Sequence, residues 1–190
     1  MKLIVGLGNP GDKYKLNRHN VGFLFLNYLL EALKLQLEST SSSSNPVFKA
    51  DKYLFSEAAK LSNFLLIKPQ TFMNKSGDAV KKATTHYKIV PAQALIVIHD
   101  DLDIPFGKFK IQCQGPKAHN GVTDIQNKLQ TMEFLRVRIG VDNRPAENRM
   151  NGEEYVLQNF TPEELSQLPE LFKKIHIRFM AFLQSENNCS

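Results

Sequence analysis

Four polar blocks in this sequence follow apolar runs. They lie at residues 6–11 with 17–22 close behind, at 68–77, at 99–103 and at 119–121. In an α/β sheet, successive strands deliver the residues that follow them to one common edge. The blocks supply one candidate base, His19, one candidate carboxylate partner, Asp100, and three carboxamides, Asn9, Asn74 and Asn120. We expect these five side chains in one site.

This set of side chains predicts a particular chemistry. A neutral imidazole with a pKa near its usual value of about 6.5 accepts a proton at physiological pH, so His19 can activate water. A carboxylate on the other ring nitrogen, for which Asp100 is best placed, fixes the tautomer and stabilises the imidazolium. Carboxamides grip a substrate without titrating. Tyr14, Phe72 and Met73 supply apolar walls or stacking faces, unless they only pack in the core.

Two motifs suggest alternative functions. The glycines at 6–11 match a dinucleotide-binding fingerprint, but that motif needs a helix at its third glycine, and the sequence predicts a turn there. Asp101 and Asp103 resemble the acidic pair of magnesium-dependent phosphohydrolases, although no later acidic pair completes such a site. Without a magnesium site, Asp101 and Asp103 are expected to stabilise the turn or to lie at the surface. The histidines lack zinc-type spacing, and Gly-x-Ser-x-Gly is absent. We therefore expect neither a metal nor a cofactor.

The composition is that of an ordinary globular protein. The chain has 190 residues, of which 42% are hydrophobic and 23% charged, and this predicts one domain spanning 1–190. The net charge of +5 is compatible with a polyanionic partner but does not establish one. No apolar run approaches the ~20 residues of a membrane span. Cys113 and Cys189 indicate no disulfide framework, so we expect a protein of the reducing cytoplasm.

Hydrophobic periodicity predicts strands that alternate with helices. Strands are expected at 2–7, 63–68, 94–98, 108–113 and 136–141, an extended segment at 47–60, and helices at about 21–37, 76–87, 122–132 and 162–183. Asn20 is a candidate N-cap for the first helix, Thr161 and Glu164 form a capping box for the last, and the serine-rich tract at 39–45 is expected to be a surface loop. The pattern predicts a single-domain, three-layer α/β/α fold with a mixed, largely parallel, twisted sheet.

The polar blocks resemble those of bacterial peptidyl-tRNA hydrolases. The matching residues are Gly6-Leu7-Gly8-Asn9-Pro10-Gly11 with Tyr14 and Arg18-His19-Asn20, Lys68-Pro69-Gln70-Thr71-Phe72-Met73-Asn74, His99-Asp100-Asp101-Leu102-Asp103 and His119-Asn120-Gly121. They occur in the same order over nearly the whole chain. The resemblance implies a cofactor-free monomer with one α/β domain. It would cleave the ester between peptide and tRNA, and so recycle tRNA from peptidyl-tRNA released by stalled ribosomes.

The resemblance also implies roles for single residues. His19 is expected to be the catalytic base, Asp100 to support it, and Asn9 to distinguish peptidyl-tRNA from free aminoacyl-tRNA. The expected substrate and tRNA contacts are Tyr14, Phe72, Met73, Asn74 and Asn120, with Lys110 and Arg138 as a phosphate-binding pair. The loop at 112–118 has a single glycine, which leaves the register of Lys110 open. A tRNA-binding protein without catalysis is the rival, and the intact His19 and Asp100 argue against it.

Overall fold

A seven-stranded sheet forms the centre of the computed structural model, which describes residues 1–38, 45–115, 118–145, 147 and 150–185. The strands are β1 (Lys2–Gly6), β2 (Lys49–Asp51), β3 (Ser56–Lys60), β4 (Phe64–Pro69), β5 (Leu95–Pro105), β6 (Phe109–Gln112) and β7 (Leu135–Asp142). The central strands β1, β4, β5 and β7 are nearly continuous buried runs, as expected where both faces of a sheet are covered.

The central strands are parallel and the outer strands are antiparallel. The order across the sheet is β2-β3-β4-β1-β5-β7-β6. β1 lies between β4 and β5, and β5 pairs with β7, all in parallel. The β2–β3 hairpin joins β4, and β6 joins β7, in antiparallel fashion. The carboxyl ends of β1, β4 and β5 therefore meet at one edge, where an α/β sheet commonly carries its site.

Helices cover both faces of the sheet. They are α1 (Val21–Glu38), α2 (Ser76–His86), α3 (Pro91–Ala94), α4 (Asn120–Leu129), α5 (Gly152–Val156) and α6 (Pro162–Gln184). α1 and α6 share one buried core through Phe25, Phe172 and Phe179. α2 and α4 contribute Val80 and Ile125 to a second core on the opposite face. The predicted α/β fold with a mixed sheet is confirmed.

The end of β5 differs from the prediction. The apolar run ends at Ile98, but the strand continues through the acidic block to Pro105. His99 and Asp100 pair with residues of β7, and the register shifts only after Asp101. The acidic block is therefore part of the strand. Asp101 is buried, and its Oδ1 accepts a hydrogen bond from the Asp103 backbone N–H at 2.8 Å, whereas Asp103 is exposed, as the surface prediction expected.

The capping predictions have mixed outcomes. Thr161 and Glu164 form the predicted capping box of α6, with side chain and backbone bonded in both directions. Asn20 was a wrong choice of N-cap, because a 3₁₀ turn over Arg18–Asn20 precedes α1 and the Asn20 carboxamide binds the backbone of Asn9 instead.

Other sequence expectations concern the cysteines, the serine-rich tract and the membrane. Cys113 is disulfide-bonded, so the expectation that the cysteines form no disulfide framework is wrong. Positions 39–44 of the tract predicted as a surface loop also lie outside them. Within the described residues, no helix combines the length and apolar character needed to cross a membrane.

Candidate active site

A cleft of about 450 Å³ opens at the carboxyl edge of the sheet, bounded by the first turn of α4 and by α5. Seven of the ten predicted site residues line it: Asn9, His19, Phe72, Met73, Asn74, Asp100 and Asn120. The other lining residues are Asp101, Leu102, Ala118, His119, Asn151, Gly152, Glu153, Val156 and Leu157. One side of the cleft is thus rich in carboxamides and imidazoles, and the α5 side presents Val156 and Leu157 together with Asn151 and Glu153.

His19 and Asp100 form a buried hydrogen-bonded pair. His19 Nδ1 lies 2.8 Å from Asp100 Oδ1, and the two residues are only 9% and 2% exposed. Since the carboxylate accepts a hydrogen bond from the Nδ1–H, the other nitrogen, Nε2, is the basic one in the neutral ring. No described residue makes a hydrogen bond to His19 Nε2. Because the ring lines the cleft, this nitrogen is available to a water molecule.

A second histidine binds the same carboxylate oxygen. His119 is the N-cap of α4, and its Nδ1 accepts a hydrogen bond from the Val122 backbone at 3.3 Å. A neutral imidazole has a single N–H, so Nε2 carries the proton and donates to Asp100 Oδ1 at 3.0 Å. Both nitrogens of His119 are therefore engaged. Of the two rings that bind Asp100, only His19 keeps a nitrogen open to the cleft.

His99 contacts the backbone of Asp100 and the ring of His119. The His99 ring is fully buried, and burial, with a smaller effect of His119 nearby, lowers its pKa well below the usual value. The neutral ring donates from Nδ1 to the Asp100 carbonyl oxygen at 2.6 Å. The rings of His99 and His119 meet edge to face, with centroids 4.7 Å apart. These contacts fix the backbone of Asp100 and the ring of His119 together.

Burial and charge act in opposite directions on the dyad. Burial lowers the pKa of His19, but the charge and hydrogen bond of Asp100 outweigh burial, and the pKa is raised above 6.5. Burial raises the pKa of Asp100, but the two histidines outweigh it, and the pKa falls well below its usual range. Asp100 therefore stays ionised at neutral pH, and His19 is a stronger base than a free imidazole.

Two reciprocal hydrogen bonds hold Asn9 in place. Asn20 Oδ1 accepts from the Asn9 backbone N–H, and Asn20 Nδ2 donates to the Asn9 carbonyl oxygen, both at 2.9 Å. The Asn9 side chain is fixed as well, because its Oδ1 accepts from the Met73 backbone N–H at 2.8 Å. With the oxygen engaged by a donor, the group that Asn9 offers to the cleft is its NH₂, which can only donate.

The turn that carries His19 is fastened to the C-terminal part of the chain. Arg18 Nη2 pairs with Glu164 at 2.7 Å, and both side chains are buried. The guanidinium also donates to the Asn159 carbonyl oxygen and lies 4.1 Å from the centroid of the Tyr155 ring. Glu164 accepts a further bond from the N-cap of α6. The position of His19 thus depends on residues near α5 and α6.

The three predicted residues that do not line the cleft differ in their surroundings. Tyr14 reaches its rim through Phe72, since the two rings meet edge to face at 6.4 Å. Lys110 is exposed and lies directly opposite Arg138 in the β6–β7 ladder. Arg138 itself is buried, and its Nε donates to Asp101 Oδ2 at 2.6 Å.

The comparisons with known proteins agree with one another. The family model described as peptidyl-tRNA hydrolase matches residues 3–189. The chain belongs to this family. A peptidyl-tRNA hydrolase of Bdellovibrio bacteriovorus is 42% identical over 177 residues, 92% of this chain and 88% of that one. One of Mycoplasmopsis synoviae is 42% identical over 169 residues, with 88% and 82% covered. The crystal structure of peptidyl-tRNA hydrolase from Acinetobacter baumannii superposes with a TM-score of 0.80 at 27% identity, covering 98% and 90% of the chains.

In this member of the peptidyl-tRNA hydrolase family, the side chains of His19, Asp100 and His119 could also hold a cation. Ligand atoms of His19, Asp100 and His119 lie within 4.8 Å of one another. A metal at this position would have to displace the proton that His119 donates to Asp100 and the one that Asp100 holds on His19. Without an ion, the hydrogen bonds already engage His19 Nδ1, His119 Nε2 and Asp100 Oδ1.

Several site residues were missed by the sequence reasoning. His119 lies in a recognised block, but only its neighbour Asn120 was selected. Its position as an N-cap before a predicted helix was a usable signal. The bonds of Asn20 to Asn9 and of Arg18 to Glu164 join residues far apart in the chain, and no local pattern indicates them. The apolar wall at Val156 follows from the position of α5, which the sequence did not predict.

Proposed function

We propose that this chain hydrolyses the ester that joins a peptide, or an N-blocked amino acid, to tRNA, with His19 as the general base. The buried hydrogen bond between His19 and Asp100 inside a cleft, in a chain of this family, carries the proposal. The proposal includes action as a monomer in the cytoplasm, where it recycles tRNA from peptidyl-tRNA dropped by stalled ribosomes.

The reaction begins at the open nitrogen of His19. Nε2 takes a proton from water while the water oxygen attacks the carbonyl carbon of the ester. The imidazolium that forms is stabilised by the ionised carboxylate of Asp100. When the tetrahedral intermediate collapses, the ester oxygen leaves and receives the proton from His19. The products are a peptide carboxylate and a tRNA with a free ribose hydroxyl.

The charge that develops on the carbonyl oxygen requires hydrogen-bond donors. The carboxamides of Asn74 and Asn120 line the cleft and are exposed. Asn120 is also the first residue of α4, and the N-terminus of a helix carries a partial positive charge. Donors of this kind contribute most when they are fixed before the reaction starts. Asn74, Asn120 and the end of α4 form the candidate oxyanion environment.

Asn9 gives a physical basis for selecting N-blocked substrates. The Asn9 NH₂ is held as a donor by the bond between its Oδ1 and Met73. The acyl group of a peptide presents a carbonyl oxygen, which accepts such a bond. A free aminoacyl ester presents an ammonium group, which can only donate and so opposes the Asn9 NH₂. We assign this discrimination to Asn9.

The test is the release of N-acetyl-amino acid from N-acetyl-aminoacyl-tRNA with EDTA present. The wild-type protein should turn over, and EDTA should not change the rate. His19→Ala should lose about 10²- to 10⁴-fold in turnover, the usual contribution of a general base, and still bind tRNA. His176→Ala, which removes an imidazole from α6, is the control. Loss of activity in EDTA with recovery on Zn²⁺ addition would instead support the cation site of His19, Asp100 and His119.

A further inference from the structure

A second surface pocket, of about 360 Å³, lies beside the cleft and has no part in the chemistry proposed above. It lies between the connection that joins β2 to β3 and the outer face of α2. Its lining residues are Tyr53, Phe55, Asp78, Lys81, Lys82 and Thr85. We call this set the Tyr53–Lys82 patch. It combines two exposed aromatic rings with two lysines.

The backbone of the β2–β3 connection presents both rings outward. Between them Leu54 is almost fully buried, and its N–H is held by Asp51 Oδ1 at 2.9 Å. Phe55 has φ of 51°, a left-handed conformation that costs a non-glycine residue free energy. Tyr53 is 59% exposed and Phe55 43%. Large aromatic side chains held at the surface in this way mark an interaction site.

Lys82 contacts both aromatic rings of the patch. Lys82 Nζ lies 3.9 Å from the centroid of the Phe55 ring and 5.0 Å from that of Tyr53. Contacts with aromatic faces position an ammonium group without neutralising it. The carboxylate in the pocket, Asp78, is paired with Lys128. Among the described residues, neither Lys81 nor Lys82 forms an ion pair. The patch is therefore a positively charged, partly preorganised surface.

The patch adjoins the cleft through the backbone. The Phe55 carbonyl oxygen accepts a hydrogen bond from Gln70 N at 2.7 Å. Two residues beyond Gln70, Phe72 lines the cleft, and the chain then enters α2, which carries Lys81 and Lys82. A polyanion bound with one end in the cleft would have this surface within reach.

We infer that the Tyr53–Lys82 patch binds the RNA part of the substrate, with phosphates at Lys81 and Lys82 and a base against Tyr53. This inference rests on the proposed function, since it takes tRNA to be the substrate. Ammonium groups without carboxylate partners bind phosphate, and exposed aromatic rings stack on unpaired bases. On the β6–β7 side of the cleft, by contrast, the Arg138 charge is already paired with Asp101. Lys81 and Lys82 are therefore less compensated by carboxylates than Arg138 is.

The test is the salt dependence of tRNA binding by Lys81→Gln/Lys82→Gln. Loss of two phosphate contacts should flatten the plot of log affinity against log salt by about 1.4–1.8, at 0.7–0.9 per contact. If the variant and the wild-type protein bind equally at 1 M salt, the variant should bind about 25- to 60-fold more weakly than the wild type at 0.1 M salt. Tyr53→Leu should weaken tRNA binding by a factor that does not change with salt concentration, because stacking releases no counterions. Hydrolysis of a blocked amino acid esterified to a short nucleotide should not change.

The matched control is Lys60→Gln/Lys88→Gln. It removes the same charge at the opposite edge of the sheet, and Lys60 also lies over an aromatic ring, that of Tyr87. An equal loss in both variants would mean a general charge effect and would overturn the inference, as would an unchanged slope. Altered cleavage of minimal esters with acidic peptides, at an unchanged slope, would assign the patch to peptide and also overturn it. Failure of the wild-type protein to cleave N-acetyl-aminoacyl-tRNA would refute the proposed function separately.

Discussion

Replacing Asp100 with Asn should slow hydrolysis and also shift its pH dependence. The carboxylate accepts hydrogen bonds from His19 at 2.8 Å and from His119 at 3.0 Å. A hydrogen bond to a charged group is worth about 1.5–3 kcal/mol. If that stabilisation of the imidazolium is lost, the rate should fall by about 10- to 150-fold at neutral pH.

The direction of the pH shift follows from the opposing effects on His19. Its pKa is raised because the charge of Asp100 outweighs burial. Asp100→Asn removes the charge and leaves burial, so the pKa should fall below 6.5. Since the neutral ring is the active form, the decline of the rate on the acid side should move to lower pH in the variant. The assay is single-turnover release of N-acetyl-amino acid from about pH 5 to about pH 9.

Asp103→Asn is the matched control, because Asp103 is an exposed carboxylate on the same strand. It should leave both the rate and the pH profile unchanged. If Asp100→Asn slows the reaction but its acid limb stays at the wild-type position, Asp100 does not set the pKa of His19. A rate within about twofold of wild type would remove Asp100 from the mechanism altogether.

Three further substitutions test other parts of the site. Asn9→Asp should reduce the ratio of hydrolysis rates for acetylated and free aminoacyl-tRNA, because a carboxylate attracts the free ammonium; an unchanged ratio would contradict the role of Asn9. His119→Asn should move the acid limb to higher pH, since His19 becomes the sole imidazole on Asp100, whereas a shift to lower pH would refute the shared-carboxylate argument. Arg138→Ala should lower the free energy of unfolding by about 3–5 kcal/mol in denaturant titrations, because it leaves a buried carboxylate unpaired; an unchanged midpoint would count against that ion pair.

Local patterns were sufficient to predict the long helices and the central strands and to select the candidate base. Runs such as Ile96-Val97-Ile98 form buried strands because both faces of the sheet are covered. The capping box at Thr161 is correct because both partners lie within one turn of α6. His19 and Asp100 could be selected because each follows a recognisable strand or precedes a recognisable helix.

Several of the failures involve contacts between distant residues. The extension of β5 past Ile98 depends on pairing with β7, which begins only at Leu135. The buried state of Arg138 depends on Asp101, on another strand. The sequence around a charged residue does not indicate whether the folded protein supplies a buried partner of opposite charge. Arg138 was therefore expected to be free to contact phosphate. Whether it also binds phosphate stays a prediction.

The bond between Arg18 and Glu164 spans 146 positions of the chain. Contacts of such sequence separation form only after the intervening loop has closed, which makes them late events in folding. The turn that carries His19 is therefore fastened only once residue 164 has been synthesised, long after the strands that supply the other cleft residues. While it is being translated, this chain is itself a peptidyl-tRNA. A copy that ends before residue 164 therefore lacks the Arg18–Glu164 contact that fastens the turn carrying His19.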